Sequence, residues 1–175
     1  MLHFIDGGRA LKYAEQSLKD NEEIVSRAVS KKGFALQWAS QRLRDNKELV
    51  SKVVIKYGLA LNNVSKRLQD DRDIVLKSVR ENGIALRFAS KRLQNDKYII
   101  LKAVKENGKA LAYASKHLQK DKEVVLTALK QTPLAFQYID DIFKKIKKLF
   151  LIVLKEIIIC FVILIKNYKW IKHLF

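Results

Sequence analysis

Residues 83–107 read GIALRFASKRLQNDKYIILKAVKEN, and the same pattern returns one step later at 108–132 as GKALAYASKHLQKDKEVVLTALKQT. Copies begin at Gly8, Gly33, Gly58, Gly83 and Gly108, a fixed step of 25 residues, and a divergent sixth opens at Pro133, the chain's single proline. A constant period of this length is the signature of a solenoid, in which each unit buries its apolar face only by stacking on the next. The expected fold is all-α: an α-solenoid of five 25-residue helix-turn-helix repeats, a partial sixth, and a C-terminal hydrophobic helix.

Within a copy, two amphipathic segments stand out. The first carries an alanine column (Ala10, Ala35, Ala60, Ala85, Ala110), a leucine column (Leu11, Leu36, Leu61, Leu86, Leu111) and a second leucine (Leu18, Leu43, Leu68, Leu93, Leu118), and this spacing predicts one helix from just after the glycine to that leucine. The second is announced by an Asn or Asp at 21, 46, 71, 96 and 121, in the place of an N-cap. It then lays down pairs such as Ile99 and Ile100, then Ala103 and Val104, on one face. The glycine that follows is expected to close this helix through a positive φ, which glycine adopts cheaply.

Helices of about ten residues are marginal alone in water, so the units must support one another. Phe4 aligns with Val29, Val54, Val79 and Val104 and is expected to cap the open first repeat. The repeat domain is placed at 1–143 and a basic, hydrophobic tail at 144–175.

The chain of 175 residues has 49% hydrophobic and 30% charged residues, which excludes a disordered or collagen-like class. Its net charge is +17. The span from Gly8 to Thr132 holds 27 Lys and Arg against 14 Asp and Glu, so the excess is spread along the array. Cys160 is the single cysteine, which rules out an internal disulfide. The N-terminal residues lack the pattern of a secretory signal, and an intracellular, cytoplasmic setting is expected.

Several columns bear on function. An aromatic one runs through Tyr13, Trp38, Phe88, Tyr113 and Tyr138, broken by Asn63; it serves either to pack the seam between repeats, the favoured reading, or as a ladder on which bases stack. Arg27, Lys52 and Lys77 follow Glu23, Glu48 and Asp73 by four residues, the favourable order for helix ion pairs. Arg42, Arg67 and Arg92 suit a helix C-terminus. Lys47, Arg72, Lys97 and Lys122 stand in a first helical turn, where the dipole disfavours cations, and with those arginines they form the candidate anion or nucleic-acid edge. Ser40, Ser65, Ser90 and Ser115 are read as mid-helix residues bonding back to a carbonyl one turn earlier. No repeat offers these serines a base, and His3, His117 and His173 lack metal-site spacing. Neither an enzymatic role nor a cofactor is expected.

The tail sets Lys144, Lys145, Lys147 and Lys148 before Leu149, Phe150, Phe161 and Trp170. Leu149 to Ile165 is 17 residues long and includes Lys155 and Glu156, just short of a spanning helix. It suits a membrane interface beside anionic lipid, a cap on the last repeat, oligomerisation through the tail, or an unselected extension.

The pattern G-x-A-L-x-x-A-S-x-x-L-x-x-D-x-x-I-V-L-x-A-V-x-x-N resembles the helical repeat family catalogued as domain of unknown function 4116, from Gly8 to about Phe143. The resemblance implies tandem helix pairs and an interaction role by analogy with other solenoids. It supplies no activity and no binding residues. A scaffold for an unidentified protein partner is the expected function, with nucleic-acid binding and membrane tethering as rivals.

Overall fold

In the computed structural model the chain divides into two compact units, Met1–Ile139 and Asp140–Phe175. The structure describes residues 9–138, all in the first of them. These residues form a tandem array of helical repeats, and no strand occurs among them. Phe4 and the whole tail, with Lys144, Lys145, Lys147, Lys148, Leu149, Phe150, Phe161 and Trp170, lie outside the described residues.

The second helix of each repeat is as expected. Glu22–Lys31, Lys47–Lys56, Arg72–Glu81, Lys97–Glu106 and Lys122–Gln131 are each 10 residues long. All five expected caps act as caps: Asn21 and Asn46 accept from the backbone N–H three residues on, at 3.1 Å, and Asp71, Asp96 and Asp121 each accept from two first-turn N–H groups. Each cap satisfies donors that the helix itself leaves free. The apolar pairs then bury completely in the middle of the array, where Ile99, Ile100, Ala103 and Val104 are all 0% exposed.

The first helix is not one helix. Gly33–Trp38, Gly58–Asn63, Gly83–Phe88 and Gly108–Tyr113 are 3₁₀ helices of 6 residues. An extended residue follows each, and in the second and third repeats the serine after it is extended as well, as with Ala39 at ψ 156° and Ser40 at ψ 158°. One further turn then carries the second leucine, as Gln41–Arg44, Lys66–Gln69, Leu93–Asn95 and Leu118–Lys120. The break belongs to the serine. Its hydroxyl caps the short turn by accepting from the N–H of the leucine three residues on, at 3.2 to 3.4 Å. The serines are therefore N-caps and not mid-helix residues, and a serine oxygen bonded to local backbone competes with helix continuation.

The break leaves 3₁₀ carbonyls needing partners, and a buried glutamine supplies one. Gln69, Gln94 and Gln119 donate from Nε2 to the carbonyls of Leu61, Leu86 and Leu111 at 3.0, 3.2 and 3.2 Å. The second repeat has Arg44 at this position, and its Nε is buried without a partner among the described residues.

The glycines act through space and not through φ. None of Gly33, Gly58, Gly83 and Gly108 has φ in the left-handed region. Instead, a Cβ on Gly58, Gly83 or Gly108 would lie 2.2 to 2.4 Å from the carbonyl oxygen of Ser78, Ala103 or Ala128 in the long helix of the same repeat. The helix ends one residue earlier, at an extended residue such as Asn82 with φ −148°. Glycine lets the chain turn back against the helix it precedes.

Candidate binding surface

Consecutive repeats are joined at the same point each time. The backbone N–H of Ser40, Ser65, Ser90 and Ser115 donates to the carbonyl of Lys19, Arg44, Gln69 and Gln94 in the repeat before, at 2.9 to 3.0 Å. The serine hydroxyls reach back as well: Ser40 donates to Asp20, Ser65 to Asp45 and Ser90 to Asp70. Arg42, Arg67 and Arg92 close the same contacts, Nε to the carboxylate at 3.0 to 3.1 Å and Nη2 to that aspartate's carbonyl at 2.7 to 2.8 Å. The serine hydrogen bond first, and the arginine second, hold the three carboxyls below the usual aspartate range.

A second row of charge pairs runs parallel to the first. Lys47 binds Asp71 at 2.6 Å, Arg72 binds Asp96 at 3.0 Å and Lys97 binds Asp121 at 2.8 Å. Each aspartate is the N-cap of the next long helix, so it serves two roles at once. Burial pushes Asp71 and Asp96 up, but Lys47 and Arg72, together with the capped backbone N–H groups, outweigh it and leave both below the ordinary value. Lys97, followed by the N–H of Val124, holds Asp121 low. Lys47 and Lys97 are raised in turn, chiefly by their aspartates.

The structure thus sets Lys47, Arg72 and Lys97 each against the N-cap aspartate of the next long helix and Arg42, Arg67 and Arg92 each against a different aspartate, and the two sets adjoin, since Arg67 lies near enough to act against the protonated Lys47. Lys122 has no acidic partner among the described residues; the position 24 residues on, where the other three find aspartate, is Ile146. The helix pairs hold at two of three places: Arg27 with Glu23 at 2.6 Å and Lys52 with Glu48 at 2.7 Å. Lys77 departs, donating to the Ser51 hydroxyl at 2.6 Å, while Asp73 lies 3.8 Å from Lys47.

The aromatic column is half-buried at Trp38, Phe88, Tyr113 and Tyr138, and Tyr13 is 80% exposed. Trp38 meets Phe34 edge to face at 5.6 Å. The Arg87 guanidinium lies 4.9 Å from the Phe88 ring centre and 6.0 Å from that of Tyr113 in the next repeat. Sequence reasoning passed over a different row, the residue after the glycine or proline that opens each unit, which begins with the exposed Arg9. Phe34 is 39% exposed, Leu59 47% and Leu134 70%, with Ile84 half-buried and Lys109 exposed. The signal was there as an apolar column outside the helical face that the leucines define.

Among the described residues no group of His, Cys, Asp and Glu side chains is arranged to hold a metal ion. No helix among them is long and apolar enough to cross a membrane.

No curated protein and no solved structure matches the chain. A family model does, over residues 4–44, 46–94 and 96–144, so that each of the last two matched stretches spans about two of the 25-residue steps. With most of its length matched, the chain belongs to the family described as Domain of unknown function (DUF4116).

Proposed function

We propose that the array is a non-enzymatic scaffold that holds a protein partner along its repeats. The observation that carries this reading is the row Phe34, Leu59 and Ile84, apolar side chains set at one position of three successive repeats and left partly in water, with Leu134 at the same position beyond the interruption at Lys109. At Phe34, Leu59 and Ile84 the core is formed without them, since the alanine and leucine next in line are already buried. An apolar row that the fold does not need is the usual mark of a protein-binding surface. The polar chemistry of the repeat is by contrast largely committed internally: serine hydroxyls cap and bridge, and among the described residues six of the seven cations of the candidate nucleic-acid edge, all but Lys122, pair with carboxylates. That pairing weighs against nucleic acid as the partner of that edge.

The test compares proteins captured from the native host by the wild-type chain and by a Phe34→Asp, Leu59→Asp variant. The scaffold reading expects one or a few partners that the variant loses while its helical signal is unchanged. Identical sets from both chains would remove the row from the account.

A further inference from the structure

The junction between the fourth and fifth repeats departs from its predecessors in two linked positions. Where Asp20, Asp45 and Asp70 accept at the first three junctions, Asn95 stands at the fourth, and where Arg42, Arg67 and Arg92 close the contact, His117 stands. Ser115 still donates, to Asn95 Oδ1 at 2.5 Å, so the hook survives without its charges.

Beside that hook lies an open groove of about 720 Å³ lined by Arg87, Lys91, Lys116, Tyr113, Asn95 and Ser115 among others, none of the lining residues acidic. Lys91 donates to the neutral Gln94 Oε1 at 3.1 Å, and Arg87 rests against the rings of Phe88 and Tyr113. Three cations therefore face one groove with no carboxylate among them. In register, the preceding junction has Asn62, Lys66 and Lys91 with Asp70, and the one before it Gln37, Gln41 and Lys66 with Asp45. Of the first four junctions only this one sets three cations in the groove without a carboxylate, so it fits a short anionic segment better than a long polyanion laid along the array. The Tyr113 ring adds an apolar wall on which a peptide chain can rest.

We propose that this groove binds a short acidic segment of a protein partner, its Asp and Glu carboxylates taken by Arg87, Lys91 and Lys116. The ligand's being a protein segment rests on the scaffold reading; the groove's preference for carboxylates does not.

The probe is a fluorescein-labelled Glu-Asp-Glu-Asp-Glu peptide, its anisotropy followed with the full chain at low and at moderate salt. Binding is expected, weakened by salt as charge pairs are screened. Asn95→Asp, which gives this junction the residue of the other three, should weaken it by roughly tenfold through one added like charge near the ligand. Arg87→Ala with Lys116→Ala should weaken it at least as much, while Lys105→Ala, an exposed cation outside the groove lining, should leave it unchanged. The proposal is overturned by no binding to the wild-type chain, by equal losses in Lys105→Ala and the groove variants, or by an oligothymidylate of matched charge that displaces the peptide at lower concentration. If the peptide fails while the Phe34→Asp, Leu59→Asp variant still loses its partners, the groove falls and the scaffold stands. If the peptide binds as described and that variant loses nothing, the scaffold's apolar row falls and the groove stands.

Discussion

Gly83 lies so close to Ala103 that a β-carbon on the glycine would come within 2.2 Å of the alanine's carbonyl oxygen. Both groups are backbone, and Ala103 is fully buried in the long helix that begins at Lys97. Neither can give way without moving its repeat. The same approach recurs at Gly58 and Gly108, which makes it the contact that fixes how a 3₁₀ helix folds back on its own long helix.

Gly83→Ala should therefore destabilise the array by overpacking, at a cost of about 1–3 kcal/mol. The cost is steric: φ at Gly83 lies outside the left-handed region, so alanine could otherwise adopt the backbone. Thermal unfolding followed by circular dichroism checks this. A variant as stable as the wild-type chain would show that the repeat tolerates a wider spacing than the structure has.

Acid should loosen the junctions between repeats. Asp20, Asp45 and Asp70 have folded pKa values below the ordinary 3.8, each through a serine hydroxyl and then an arginine. The unfolded chain then binds more protons than the native one in this range, so stability is fully present above the unfolded value of about 3.9 and is lost as pH falls through the folded values. The thermal midpoint should be level with respect to these groups near neutrality and drop below about pH 4. Asp45→Asn should flatten that drop, since an asparagine at this position keeps the serine bond, as Asn95 does, without titrating. An acid limb unchanged in the variant would assign the loss to other carboxylates.

Replacing Lys47, Arg72 and Lys97 together by alanine should change stability modestly, and less at high salt, because the three cations are about half exposed and each aspartate keeps its hydrogen bonds to the first turn of its helix. Oligonucleotide retention at low salt should be equally insensitive, since these cations already face carboxylates. Binding that falls steeply with salt and disappears in the variant would restore the nucleic-acid reading.

The period, the long helix and its five caps were legible in the sequence, because an Asn or Asp before a regular apolar face has one common structural use. The expected helix from Gly83 to Leu93 was not, although its alanine and leucine spacing fits a helix well. Ser90 decides the local geometry by capping a new turn and hooking onto the repeat before it, and that second bond joins residues 20 apart in the sequence, Ser90 and Asp70. The glycine column was located correctly, but its reason was steric contact with a carbonyl, which no local pattern displays. The cations at 47, 72 and 97 looked unanswered because their partners lie 24 residues ahead, doing duty as the next helix's caps. Asp45 meets Ser65 and Arg67 at offsets of 20 and 22, and Lys47 meets Asp71 at 24, none of them the 25-residue step that the repeated columns display.

The account stands on the units having no fold apart from one another. The most direct measurement is the circular dichroism of a peptide covering residues 83–107 beside that of the full chain, in the same buffer. The expected result is little helical signal from the peptide and a strong one from the chain, because Ser90, Arg92 and Lys97 all lack their partners when a single unit is cut out. A peptide with the helicity of the intact repeat would contradict it.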